Sequence, residues 1–134
     1  MVTTRDPDVR SQAELVWDGQ GLLLHGGNAL QSGDTWRFQA NDWQRGDPGM
    51  PTPRAGAALA YDPVRNQNVL FGGDLSTSSG SGLSNDTWTF AGSWLRHTPA
   101  VQPSARSWPG FVWSTPDQAL LLFGGFPASN DTWT

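Results

Sequence analysis

The chain has 134 residues, 37% of them hydrophobic and 11% aromatic, so we expect a folded domain rather than a disordered segment. The formal net charge of -4 repels phosphate backbones and anionic lipid headgroups, so neither nucleic acid nor a membrane surface is expected as a partner. Cysteine is absent, which excludes disulfides, thiolate nucleophiles and cysteine-based metal sites. The 16 Gly and 10 Pro are spread along the chain and favour many short strands joined by turns, which predicts an all-β fold.

No segment of the sequence directs the chain to a membrane or an export route. The longest apolar runs, such as 119–123, have the length of a strand and are far too short to span a bilayer. The N-terminal residues lack the apolar stretch of a secretory signal. The cytoplasm is therefore the default expectation.

Five markers recur three times in the same order, which indicates a structural repeat. Each copy starts with Pro-x-x-Arg, at Pro7/Arg10, Pro51/Arg54 and Pro103/Arg106, and an aromatic residue follows each Arg after seven positions, at Trp17, Tyr61 and Trp113. An apolar run then ends in a glycine pair, at Gly26-Gly27, Gly72-Gly73 and Gly124-Gly125. Asp-Thr-Trp closes the pattern, at Asp34/Trp36, Asp86/Trp88 and Asp131/Trp133. The units are about 10–50, 51–102 and 103–134, within one domain that covers 1–134.

Each unit is predicted to form a four-stranded meander. In the first unit, Asp18-Gly19 is the signal of a tight hairpin. In the middle unit the predicted strands are 57–61, made of small residues, 68–71, apolar throughout, 87–90, which alternates, and a short outer strand that begins at Trp94. Asp62-Pro63 turns the chain after the first of these. The Ser/Gly-rich stretch 75–83 is an insertion in a loop.

This order of markers resembles the kelch repeat, particularly the bacterial repeats similar to the central domain of galactose oxidase. The resemblance extends from about Pro7 to Thr134. The first unit departs from it by having His25 where the others have Phe71 and Phe123. The resemblance implies a β-propeller, in which blades pack radially around a channel, usually six or seven to a ring.

About three blades form only an arc, and a blade with two apolar faces needs a neighbour on each side. The third unit stops after its third strand, whereas the N-terminal strand 1–6 corresponds to the end of a fourth strand. We therefore expect two chains to associate head to tail into a six-bladed ring, in which Val2, Thr3 and Thr4 of one chain complete the last blade of the other beside Thr132 and Thr134. A larger ring, another propeller chain as the partner, and a piece of a longer propeller are the alternatives.

The repeat arginines are the candidate ligand site. By the resemblance, Arg10, Arg54 and Arg106 lie at the mouth of the channel, where they would attract a carboxylate or phosphate group. Asp74 begins the loop that reaches the same face and joins this set. The alternative is that each Arg is structural and bonds turn carbonyls of the adjacent blade.

The other conspicuous residues have a structural interpretation. Trp36, Trp88, Trp133, Trp43 and Trp94 keep a fixed place in the repeat, which favours packing between blades over stacking on carbohydrate. Asp34, Asp86 and Asp131 recur before Trp, which favours a turn-capping role over metal ligation. His25 lies on a strand that has Phe in the other units and is expected to be packed.

We expect a binding or scaffolding module without a cofactor or metal. Copper chemistry like that of galactose oxidase needs a Tyr linked to Cys, and the chain has no Cys and a single Tyr, Tyr61. The iron site of kelch specifier proteins needs a His at the position that Leu22 occupies after Glu14 and Asp18. The alternative function is a propeller lyase or hydrolase with a channel site lined by Arg and Asp. Besides a second copy, the expected partners are a protein or a small anionic ligand.

Overall fold

A computed structural model describes residues 6–28, 33–46, 50–76 and 82–134. These residues form antiparallel β-sheets, and no helix in this part of the chain is long and apolar enough to cross a membrane. The strands are β1 (Glu14–Trp17), β2 (Leu22–His25), β3 (Thr35–Gln39), β4 (Asp42–Arg45), β5 (Ala58–Asp62), β6 (Gln67–Phe71), β7 (Thr87–Phe90), β8 (Trp94–His97), β9 (Gly110–Ser114), β10 (Ala119–Phe123) and β11 (Thr132–Trp133). The predicted all-β fold is confirmed.

The described strands form three separate sheets, one for each unit of the repeat. Sheet I contains β1 to β4, sheet II contains β5 to β8, and sheet III contains β9 to β11, each with neighbours in chain order. The middle unit matches its predicted strands to within one residue at either end. None of these three sheets closes on itself within the described residues. Val2, Thr3 and Thr4 lie outside the described residues, as does most of the predicted loop insertion.

Local side-chain chemistry explains the first turn of sheet II. Asp62 Oδ1 accepts hydrogen bonds from the backbone N–H groups of Val64, at 2.9 Å, and Arg65, at 3.0 Å. Asn66 adopts a positive φ of 52°, which Asn tolerates better than most residues. The Asp-Pro signal therefore turns the chain as the sequence predicts, and it sets β5 against β6 with Ala58 opposite Phe71.

Sheet II has two apolar faces, and both are covered. On one face, Leu70 packs with Ala57, Leu59 and Trp88, with Val16 of sheet I against them. On the other face, Phe71 packs with Ala58 and with Leu122 of sheet III. Leu70 and Phe71 are adjacent in the chain and point to opposite faces, yet they are 0% and 3% exposed. The core of the molecule therefore lies at the two joints between sheets.

Main-chain hydrogen bonds repeat at the two joints. Gly56 N–H donates to the Gln12 carbonyl at 3.1 Å, and Trp108 N–H donates to the Gly56 carbonyl at 2.7 Å. These residues occupy the same place in their units, two positions after the repeat Arg, and all three have positive φ, between 50° and 58°. The first strands lie beside one another, with β5 in contact with β1 and with β9.

A second pair of links starts from the glycine pairs. Gly27 N–H donates to the Arg54 carbonyl at 2.8 Å, and Gly73 N–H donates to the Arg106 carbonyl at 2.9 Å. Each unit is therefore joined to the next by the same two backbone bonds.

A polar tie reinforces the joint between sheets I and II. Asp18 is 4% exposed and accepts two bonds from Arg37, at 2.6 and 2.9 Å, and one from Asn68 of sheet II at 2.9 Å. Burial alone would raise the pKa of Asp18, but the donors from Arg37 and Asn68 outweigh it and lower the pKa to about 2.

The first glycine of the pair in sheet II leaves no room for a side chain. Gly72 has a φ of 67°, and a Cβ placed there would lie 2.5 Å from the Arg106 carbonyl oxygen of the next unit. This explains why glycine is required at position 72, where sheet II meets sheet III.

We expect Gly72→Ala to lower the free energy of unfolding by about 2 kcal/mol or more, because it combines a strained φ with a backbone clash. Gly92 also has a positive φ, of 96°, but a Cβ there would meet nothing within 4 Å. Gly92→Ala is therefore the matched control and should cost about 1 kcal/mol. Urea denaturation of both variants measures the difference, and equal losses would contradict the packing argument.

Candidate functional site

The repeat arginine of sheet II is enclosed by its own unit. Its side chain is 1% exposed and forms a two-pronged ion pair with Asp86, from Nη1 to Oδ1 at 2.6 Å and from Nη2 to Oδ2 at 3.1 Å. Arg54 Nη1 also donates to the Gly72 carbonyl at 2.8 Å, and Nε donates to the Thr52 carbonyl at 3.0 Å. The three guanidinium nitrogens therefore all have partners within the protein.

The same arrangement occurs in the other two units. Arg10 pairs with Asp34 at 2.7 and 3.3 Å and donates to the Gly26 carbonyl at 3.2 Å. Arg106 pairs with Asp131 at 2.6 and 2.8 Å and donates to the Gly124 carbonyl at 2.9 Å. Three of the five sequence markers thus meet at one point in each sheet.

The Trp of the Asp-Thr-Trp marker completes this arrangement, which we call the Arg–Asp–Trp cluster. The indole Nε1 of Trp36, Trp88 and Trp133 donates to the Asp two residues earlier, at 2.5, 2.7 and 2.6 Å respectively. In sheet II, Ser84 Oγ donates to Asp86 as well, at 2.6 Å. Each carboxylate therefore accepts bonds from a guanidinium and an indole.

These donors determine the charge state of the carboxylates. Burial would raise the pKa of Asp86, but the Arg54 guanidinium, followed by the Ser84 and Trp88 donors, holds it below its ordinary value. The pKa of Asp131 is well below its usual range, first because of the hydrogen bond from Arg106. The clusters are paired ions at neutral pH, a chemistry suited to holding loops together.

The structure shows a hydrogen-bond partner for each repeat Arg and for the Asp and Trp of each Asp-Thr-Trp marker. The arginines bond carbonyls of their own unit, whereas the structural alternative placed the acceptors in the adjacent blade. Asp86 and its counterparts are acceptors for Arg and Trp, which sequence reasoning missed. The signal was available, because Pro-x-x-Arg and Asp-Thr-Trp recur together in every unit. A ligand role for the three arginines stays a prediction.

Asp74, the fourth predicted ligand residue, lies apart from these clusters. Its carboxylate accepts the Ser76 N–H at 2.9 Å, and hydrogen bonding from the Ser76 side chain, followed by this backbone bond, lowers the pKa of Asp74. Its backbone pairs with Ala55 on one side and Leu83 on the other. Asp74 therefore anchors the start of the loop insertion, of which residues 77–81 lie outside the described ranges.

The joint between sheets I and II contains a tryptophan from the outer strand of sheet II. Trp94 Nε1 donates to Thr35 Oγ1 at 2.8 Å, and its ring centroid lies 5.1 Å from that of His25. His25 is 1% exposed, and its Nδ1 lies 3.0 Å from the same Thr35 hydroxyl. Burial, helped by the charge of Arg54, lowers the pKa of His25 to about 3, so the ring is neutral and packed, as the sequence predicts.

Equivalent positions in the three units become progressively more exposed along the chain. His25, Phe71 and Phe123 share one place in the repeat and are 1%, 3% and 55% exposed. Thr35, Thr87 and Thr132 share another and are buried, half-buried and exposed. The exposure depends on the sheet that covers these positions. Sheet II covers them in sheet I with four strands, and sheet III covers them in sheet II with three. No described residue covers them on the outer face of sheet III.

Both ends of the row of sheets present apolar side chains to solvent. On the outer face of sheet I, Leu15 and Trp17 are 53% and 61% exposed. On the outer face of sheet III, Val112 and Phe123 are 60% and 55% exposed. We call these the first and last faces. Exposed apolar surfaces of this kind are typical of sites that bind another protein.

Within the described ranges, no three His, Asp or Glu side chains come close enough to share a metal ion. A comparison with models of protein families and with curated proteins found no match for the chain. The candidate sites are the two outer faces and the grooves between neighbouring sheets.

We expect Asp86→Ala to lower the free energy of unfolding by about 3 to 5 kcal/mol, because it leaves the buried Arg54 charge without its partner. Asp131→Ala removes the same group from sheet III, where Arg106 is equally buried but the Asp131 side chain is 36% exposed; because water can reach the guanidinium from the side that Asp131 vacates, the loss should be clearly smaller. Chemical denaturation followed by circular dichroism measures both. Equal losses would mean that burial does not determine the cost.

Glu14 provides a test based on pH. Burial raises the pKa of Glu14 from 4.5 to about 7, so the folded chain holds this proton more tightly than the unfolded chain. Stability should therefore fall as pH rises from about 4.5 to 7, by at most about 3 kcal/mol. Glu14→Gln should remove this loss and be more stable than the parent at pH 8, as thermal unfolding at several pH values would show. An unchanged pH profile in the variant would contradict the assignment.

Proposed function

We propose that the chain is a non-catalytic binding or scaffolding module, whose three sheets are kelch-type propeller blades, and that two copies close a six-bladed ring. The observation that carries the proposal is the match between the first and last faces. The residues of each outer face stand at the same positions of the repeat as residues of sheet II that pack against a neighbouring sheet.

The side chains of the two faces support this match. Leu15 and Trp17 of sheet I occupy the places of Leu59 and Tyr61 in sheet II, and Leu59 belongs to the core that packs against sheet I. Phe123 occupies the place of Phe71, which packs against sheet III. The first face therefore resembles the face of sheet II that packs against sheet I, and the last face resembles the face of sheet II that packs against sheet III. The first face of one chain is thus suited to pack on the last face of another. Burying each large apolar side chain contributes about 1.5 to 3 kcal/mol.

The main chain supports the same pairing. Each internal joint has two backbone bonds. One joins the residues that lie two positions after the repeat Arg, which are Gln12, Gly56 and Trp108. The other runs from the N–H of the second glycine of a pair to the carbonyl of the repeat Arg in the next unit. Repeating them between chains would join Gln12 N–H to the Trp108 carbonyl and Gly125 N–H to the Arg10 carbonyl. Such a head-to-tail contact is heterologous, and with three blades per chain it closes after two copies.

The clusters favour binding over catalysis. A lyase or hydrolase with Arg and Asp in a channel would need these groups free to meet a substrate. Here Arg54 and Asp86 neutralise each other inside sheet II, and both are largely buried. A second copy is the favoured partner, while another protein or a small anionic ligand would meet the loops after the glycine pairs.

The oligomeric mass tests the proposal. Size-exclusion chromatography with light scattering should give twice the mass of one chain at micromolar concentration. Phe123→Glu places a charge on the last face and should halve this mass without changing the circular dichroism spectrum. Val64, in a turn of sheet II, is 61% exposed, so Val64→Glu is the control and should leave the dimer intact. A compact and soluble parent monomer would overturn the ring.

A further inference from the structure

A groove of about 440 Å³ lies between sheets I and II. Sheet I contributes Arg37 and Gln44 to its lining, and sheet II contributes Tyr61, Asn68 and Phe90. This volume lies within the range of small-molecule sites, roughly 300 to 1,000 Å³. Both walls are four-stranded sheets of one chain, so the groove needs neither a second copy nor a closed ring.

The polar tie between sheets I and II is part of this lining, and it is specific to this joint. The positions of the repeat that carry Asp18, Arg37 and Asn68 carry Asp62, Thr89 and Leu120 at the joint between sheets II and III. Asp62 accepts a bond from Arg65 of its own turn there, at 2.8 Å, and Thr89 and Leu120 cannot form the tie. The repeat therefore does not explain the polar character of the groove.

Asn68 is the clearest departure from the repeat. It lies four positions before the first glycine of its pair, where the other units have Leu22 and Leu120. Asn68 is 2% exposed, and its Nδ2 donates to Asp18 at 2.9 Å, whereas its Oδ1 accepts no hydrogen bond from any described residue. A buried amide oxygen without a donor costs free energy that a leucine at this position would not. This acceptor points to a ligand whose O–H or N–H group donates to it.

The charges in the lining favour a neutral ligand. Arg37 pairs with Asp18 at 2.6 Å, and Arg45 Nε lies 4.0 Å from Asp34. An ionic ligand would therefore compete with an existing pair for its counter-charge. The amide group of Gln44 remains, and an amide both donates and accepts hydrogen bonds. Hydroxyl groups match it, because they also donate and accept.

We propose that this groove binds a neutral saccharide. One sugar hydroxyl donates to Asn68 Oδ1, and others bond the Gln44 amide and Tyr61 Oη, which can still accept while it donates to Asn66 at 2.6 Å. The aromatic carbons of Tyr61 and Phe90 provide apolar surface for the C–H groups of the sugar ring. This goes beyond the scaffolding role, because it names a site within one chain and a ligand other than a protein or an anion.

Five neutral sugars are the probes: glucose, galactose, mannose, maltose and cellobiose. Saturation-transfer difference NMR with the full chain, followed by calorimetric titration, should show saturable binding of at least one of them. No saturable binding at tens of millimolar by any of the five would overturn the proposal. It would leave a water molecule as the partner of Asn68.

Protein variants locate the contact. Asn68→Leu introduces the residue of the other two units, removes the acceptor and should weaken sugar binding about tenfold or more. Gln67→Leu is the matched control, since it changes the preceding amide on β6, whose side chain faces sheet III, and it should leave sugar binding unchanged. Equal binding by the parent and a folded Asn68→Leu variant, or equal losses in both variants, would overturn the proposal.

A milder variant keeps the test decisive if Asn68→Leu does not fold. Tyr61→Phe removes one hydroxyl group and should weaken sugar binding about two- to tenfold while the circular dichroism spectrum stays unchanged. Unchanged binding by this variant would contradict the assigned contact.

Light scattering on the same samples separates this proposal from the ring. A monomer that binds a sugar through Asn68 would refute the ring and support the saccharide site. A dimer that binds none of the sugars would refute the saccharide site and leave the ring standing.

Discussion

A sheet with two apolar faces must be covered on both, and this constraint determines the rest of the molecule. Leu70 and Phe71 show it most directly, since neighbouring residues on opposite faces are both buried only because sheet II has a sheet on each side. Sheets I and III have the same design with one neighbour each. The exposed side chains of the first and last faces follow from that difference.

Within each sheet, the Arg–Asp–Trp cluster performs a different task. A buried ion pair contributes little net stability, because desolvation offsets much of the attraction, but removing one partner is costly. The pair therefore selects one arrangement of the segments that meet there. In sheet II it joins the entry at Arg54, the end of β6 at Gly72 and the start of β7 at Asp86. This structural role is sufficient to explain why Arg and Asp recur in every unit.

The strands were predictable because their signals are local. The Asp62-Pro63 turn and the apolar run before Gly72-Gly73 place β5 and β6 to within a residue, and the third unit has the three strands that its length allows. The partner of Arg54 was not predictable from periodicity, since Asp86 is 32 positions away and only the common recurrence of the two markers connects them. The contact of Trp94 with His25 and Thr35 of the neighbouring sheet was not predictable either, because it required knowledge of which face each side chain takes.

Part of each joint between units is made by amide and carbonyl groups at positions such as Gln12, Gly56 and Trp108, whose side chains differ completely. Only the backbone conformation is shared there. These backbone links persist when a unit is duplicated, whatever side chains stand at these positions, so tandem duplication is a simple route to such a chain as long as the apolar faces that meet at each joint stay matched. Arrays of other lengths should be accessible to protein engineers by the same means.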